Sequence, residues 1–136
     1  MRNLHLVAAL AASMTIGGCA YAADSKADAP LSEAAQKALA GYEPVGTANC
    51  IPLSQVRSSR IIDPTAIIYE ITSNRLYVNQ PAGGRCTGLR KDRALVTRIT
   101  TGNLCNLDLV TVIDPPSPIQ YGACPLGTFT EYRKKQ

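Results

Sequence analysis

Few residues in this chain are of a type and spacing that could do chemistry. Four cysteines, Cys50, Cys86, Cys105 and Cys124, stand 36, 19 and 19 residues apart. A four-thiolate zinc site draws its ligands from close C-x₂₋₄-C pairs, and dithiol redox chemistry from C-x-x-C. Neither spacing occurs. The single histidine, His5, lies in the apolar N-terminal segment, so the rest of the chain has none. That removes Ser-His-Asp and Cys-His catalysis and His-ligated metals from the domain. The carboxylates Asp63, Glu70, Asp108, Asp114 and Glu131 remain as a possible glycosidase-type acid–base pair. Asp63 before Pro64 and Asp114 before Pro115, however, read as turn formers. No glycine-rich phosphate loop precedes a helix, because Gly83-Gly84 stands between strands. The sequence therefore assigns no catalytic residue, no metal ligand and no cofactor.

In an oxidising compartment four cysteines read as two disulfides, and three pairings are possible. The sequence favours Cys86–Cys105 with Cys50–Cys124. Cys86 precedes one strand of a hairpin whose turn region holds Cys105, and Cys50–Cys124 would tie the ends of the domain together. Sequential pairing, Cys50–Cys86 with Cys105–Cys124, stands next.

The stretch from Arg85 to Arg98, around and after Cys86, is basic. Arg85, Arg90, Lys91, Arg93 and Arg98 face one acid, Asp92, in a chain of net charge +4. Such a run suits an anionic partner, a lipid headgroup or an acidic glycan. It equally suits a solvated loop and an exposed strand face. Nucleic acid is disfavoured, because the chain carries export signals and few aromatic residues for base stacking. With no Trp and one Phe, the Tyr side chains Tyr69, Tyr77, Tyr121 and Tyr132 are expected to be packing residues with wet hydroxyls more than the lining of a ligand groove.

The elements around these residues fall into three parts. Met1-Arg2-Asn3 followed by apolar Leu4–Ile16 reads as a signal peptide, too short to span a bilayer as a helix. Ile16-Gly17-Gly18-Cys19 has the form of a bacterial lipobox, with Cys19 as the acylated first residue of the mature chain. Ala20-Tyr21-Ala22 has the form of an ordinary cleavage site, and the first reading is preferred. Residues 1–18 are then signal peptide and 19–49 a lipid-anchored tether. Within the tether Ser32 as N-cap and Gly41 as stop frame a short helix that is either docked or a plain spacer.

Residues 50–136 read as the disulfide-stapled β-domain. Strands are expected near 60–62, over 65–71 by period-2 alternation, and over 75–80 as the return of a hairpin. Others are expected over 93–101 and 107–113, hinged at Gly102-Asn103, with short edge strands at 119–121 and 128–132. Cys50-Ile51-Pro52-Leu53 is expected to open the domain in a turn or 3₁₀ piece. The fold class is all-β: a small antiparallel sheet or open barrel stapled by two disulfides.

The motifs in order are Cys50-Ile51, Asp63-Pro64-Thr65-Ala66-Ile67, Tyr77-Val78-Asn79, Cys86-Thr87-Gly88-Leu89, Leu104-Cys105 and Cys124-Pro125-Leu126-Gly127-Thr128-Phe129. This succession resembles a family of small exported bacterial proteins, often lipoproteins, of unknown function. Leu107-Asp108 stands where that family would carry Gly-Asp after Leu-Cys. The resemblance implies fold and location, and it brings no activity, substrate or catalytic residue.

The expectation is a non-enzymatic structural or binding module on the periplasmic side of a Gram-negative envelope, anchored by palmitate-type acylation at the outer membrane. Cleavage after Ala22 would instead make it soluble in the periplasm or secreted. A small accessory or inhibitory protein capping another envelope protein is the second expectation. A carboxylate enzyme is the third.

Overall fold

The alternating segment found in the sequence forms the centre of the molecule. A computed structural model describes residues 30–136, so the expected signal peptide over 1–18 and Cys19 lie outside the described residues. β4 (Ala66–Thr72) and β5 (Arg75–Asn79) form a hairpin around Ser73-Asn74, with Tyr69 opposite Tyr77. Both faces of this hairpin are buried. Ile67, Tyr69, Ile71 and Tyr77 point one way, while Ala66, Ile68, Leu76 and Val78 point the other. β3 (Ser58–Asp63) pairs with β4, β10 (Phe129–Lys134) with β5, and β1 (Tyr42–Ala48) with β10. The result is a five-stranded antiparallel sheet in the order β1-β10-β5-β4-β3.

One face of this sheet is covered by α1 (Glu33–Ala38). Ser32 caps it by accepting the Ala35 N–H at 3.1 Å, Glu33 lies in the first turn and Lys37 in the last. These charges complement the helix dipole. A six-residue helix has little stability alone. Buried Ala35 and Leu39, with Leu31 and Ala38, hold it on Ile62, Ala66, Ile68, Leu76 and Val78. The docked form of the helix is therefore the observed one. Within the stretch 19–49 expected as a tether, α1 and β1 belong to the packed unit, and residues 19–29 lie outside the described residues.

The other face is covered by two smaller sheets. β2 (Cys50–Pro52) pairs with β7 (Asn103–Cys105), and β8 (Leu109–Ile113) lies between β6 (Ala94–Thr97) and β9 (Gln120–Pro125). A 3₁₀ turn at Leu53–Gln55 follows β2. Ile51, Leu89, Leu104, Val110, Val112, Cys124 and Leu126 pack on Ile67, Tyr69, Tyr77 and Phe129. Phe129 meets Tyr69 and Tyr77 edge-on, at centroid distances of 5.8 and 6.4 Å, a preferred aromatic geometry. Among the described residues the architecture is antiparallel β with one short α-helix, without a closed barrel.

Three expectations need correction. The hairpin over 93–101 and 107–113 does pair, Ala94 with Ile113 through Thr97 with Val110. Its connection, however, leaves the sheet to form β7 against β2. The strand near 128–132 is not at an edge, since β10 lies between β1 and β5. The disulfides are Cys50–Cys105 and Cys86–Cys124, in place of Cys86–Cys105 with Cys50–Cys124. Cys50 and Cys105 are direct cross-strand partners in β2 and β7, so Cys105 is carried away from Cys86. Two disulfides indicate an oxidising, exported environment.

Candidate functional site

Any activity of the domain would have to use its carboxylates, hydroxyls and cations, and most of the carboxylates are engaged in local contacts. Asp63 accepts the Thr65 N–H at 2.7 Å and its hydroxyl at 2.6 Å, and also the hydroxyl of Ser32. It thus joins the β3–β4 turn to the helix cap. Partial burial pushes its carboxyl up, but these hydrogen bonds outweigh that and hold it below the usual range. Asp108 accepts the Cys105 N–H at 2.7 Å and closes the β7–β8 turn. Asp114 receives a 3.4 Å contact from the Tyr121 hydroxyl. Glu70 pairs with Arg60 at 3.2 Å and accepts from Ser58. Glu131 sits between Arg75 and Arg133, at 2.9 and 3.0 Å, beside the Tyr77 hydroxyl. Burial raises the Glu131 carboxyl, and its two arginine partners bring it below the usual range.

The motif residues between these acids are also structural. Asn79, fully buried, donates to the Gly127 carbonyl at 2.6 Å and accepts the Gly127 N–H at 3.1 Å. A Cβ on Gly127 would collide with the Gln80 carbonyl oxygen, and one on Gly88 would lie 2.6 Å from the Tyr121 carbonyl oxygen. Real Cβ atoms do not approach backbone so closely, so both positions require glycine. The Cys86–Cys124 bridge joins the two motifs that carry these glycines. Tyr69 is 3% exposed and its hydroxyl has no hydrogen-bond partner among the described residues, so burial raises its pKa well above the ordinary phenol value.

The basic residues do not act as one cluster. Arg90 pairs with Asp92 at 3.2 Å. Arg93 donates to the Gly88 carbonyl at 2.8 Å and lies 3.4 Å from the Tyr121 ring centroid, a cation–π contact. Among the described residues, the side chains of Arg85, Lys91 and Arg98 have no hydrogen bond or ion pair. Arg85 and Lys91 project from the loop that enters and leaves Cys86–Leu89, and Arg98 follows β6.

The surface left over is the outer face of the β6-β8-β9 sheet. Val96, Arg98, Thr111, Ile113, Pro118 and Gln120 line an open groove of about 360 Å³ there. Leu109 and Ile119 beside it are 59% and 54% exposed. The sequence reading did not single out this groove. The signal was present in the strand phase. With Leu95, Thr97 and Ile99 turned inward, the outward positions Val96, Thr111 and Ile113 carry no charge, whereas an outward face is ordinarily polar. No family model, no curated protein and no solved structure matches the chain.

Proposed function

We propose that the chain is a non-enzymatic binding or structural module of the Gram-negative envelope, held by an acyl chain on Cys19 on the periplasmic side of the outer membrane. Release after Ala22 would give the same module in soluble form. One observation carries the reading: the groups able to break or make bonds are committed to holding the fold. The four cysteines are bridged. Asp63 and Asp108 close turns, Glu131 and Glu70 are ion-paired, and Gly88, Gly127 and Asn79 serve close backbone contacts. The resemblance to small exported proteins agrees on location and adds no activity.

The intact mass of the protein isolated from its membrane, with thiol labelling before and after reduction, tests the reading. The expected species begins at an acylated Cys19 and labels four thiols only after reduction. A chain beginning at Ala23 would refute the anchor, and labelling without reductant would refute the staples.

A second reading, an accessory protein that caps another envelope protein, is favoured by the apolar groove and its neighbours Leu109 and Ile119. Cross-linking in whole cells would then yield one defined partner, lost in the Leu109→Glu, Ile119→Glu double variant. Retention of that partner by the variant would exclude the groove.

A further inference from the structure

We infer that the loop carrying Arg85, Arg90 and Lys91 is a membrane-docking surface for the anionic phospholipid headgroups of the leaflet that holds the anchor. The inference rests on the acylation of Cys19 and specifies which end of the domain faces the bilayer.

Two hydrogen bonds place the loop. Ser32, two residues after the described chain begins, bonds through its hydroxyl to the Asp63 carboxylate at the β3–β4 turn. At the next residue of that turn, the Pro64 carbonyl accepts the Cys86 N–H at 2.7 Å. The point where the chain leaves towards Cys19 and the loop around Arg85 are therefore attached to the same turn, at one end of the five-stranded sheet. The eleven residue steps from Cys19 to Pro30 reach at most about 40 Å even fully extended. An acyl chain at Cys19 keeps this end of the domain within that distance of the lipid surface, and the charge of the loop then selects which end docks.

The charge of this end suits that placement. Arg85 and Lys91 are exposed and unpaired among the described residues, and Arg90 is exposed with only Asp92 as partner. Of the acids at this end, Asp63 is occupied by Ser32 and Thr65, and exposed Glu33 in the first turn of α1 offsets one of the three cations. Arg93 is turned to Gly88 and Tyr121 and contributes little. Exposed cations near an anionic leaflet are each worth about fivefold in binding, provided they lie within a Debye length.

The chain has no tryptophan, so one introduced Trp reports its own surroundings. Thr87→Trp places it at an exposed position in the loop. Ser73→Trp places it at the exposed opposite end of β4, about 20–25 Å away along the strand. The full acylated protein is reconstituted in vesicles of brominated phosphatidylcholine with or without phosphatidylglycerol.

The expected result is strong quenching of T87W and little of S73W, and only in the anionic vesicles. R85A/K91A, which removes no bond of the fold, should lower the docked-to-undocked ratio roughly 10- to 30-fold. Equal quenching at both positions, independence from phosphatidylglycerol, or no effect of R85A/K91A would overturn the inference. So would salt-sensitive binding of polygalacturonate without loop quenching, which would assign the loop to a glycan. The intact mass of the same preparation separates the two levels. An unacylated chain overturns the anchor and the docking with it. An acylated chain without loop quenching overturns the docking alone.

Discussion

Replacing Asn79 tests whether the motif residues are scaffold. Its amide makes a reciprocal pair of hydrogen bonds with the Gly127 backbone, 2.6 Å as donor and 3.1 Å as acceptor, at 0% exposure. In Asn79→Leu the branched skeleton of the side chain is kept, so no cavity forms. The Gly127 N–H and C=O then both lose their partner inside the protein. Each buried, unsatisfied polar group costs about 1–3 kcal/mol, so the variant should lose roughly 2–5 kcal/mol. Asn79→Ala should lose more, because it adds a cavity. A domain of this size has a total stability of about 5–15 kcal/mol, so the loss is a large share.

The assay is urea unfolding with the disulfides intact. At a slope of about 1–3 kcal/mol per molar urea, the midpoint should fall by at least about 0.7 M with the slope unchanged. An Asn79→Leu midpoint within experimental error of the wild type would refute the argument. It would mean that the β9–β10 turn is held by something other than this amide.

Other outcomes follow from the same contacts. Cys50 is exposed and Cys105 half-buried, whereas Cys124 is fully buried. Graded reduction followed by alkylation and mass mapping should therefore label Cys50 and Cys105 before Cys86 and Cys124; the reverse order would contradict the burial. By chain entropy each bridge contributes about 4 kcal/mol, so full reduction should lower the thermal midpoint sharply. Tyr69→Phe should leave stability unchanged or raise it by up to about 1 kcal/mol, read in the same urea assay, because it removes a buried hydroxyl without a partner among the described residues. A clear loss would reveal a hydrogen bond to that hydroxyl. Asp63 and Glu131 are both held below their usual range. Their stabilisation is therefore complete above the unfolded value near pH 4 and lost as pH falls through the folded values. Stability should drop below about pH 4, and Asp63→Asn should flatten that drop; an unchanged acid profile would count against it.

The parts of the fold visible in the sequence were those set by neighbours in the chain. Thr65–Ile71 and Arg75–Gln80 are short runs rich in Ile, Val and Tyr joined by a turn, and they form the central hairpin. Tyr42–Ala48 carries Pro44 and Gly46, is exposed along most of its length, and pairs only with β10. Its strand character comes from that distant partner and leaves no local mark. The disulfide pairing failed for a related reason. Gly102-Asn103 looks like a hairpin turn, yet Leu104 is needed opposite Ile51, and that demand turns the connection into a strand.

The candidate site was legible in part. The cations were visible, but the withdrawal of Arg93 from the exposed set depends on the Gly88 carbonyl and the Tyr121 ring being brought to it. The groove requires the phase of three strands at once, two of which meet only through their pairing with β8.

The two bridges interleave, since Cys86 lies between Cys50 and Cys105 in sequence and Cys105 lies between Cys86 and Cys124. A chain threaded through a secretion channel N-terminus first presents its thiols in the order 50, 86, 105, 124. An oxidase that joins thiols as they emerge would first link Cys50 to Cys86, a pair absent from the native protein. The native connectivity is then reached by thiol–disulfide exchange. Biogenesis of this domain should accordingly depend on a disulfide isomerase as well as an oxidase, and cells lacking the isomerase should accumulate the Cys50–Cys86 species.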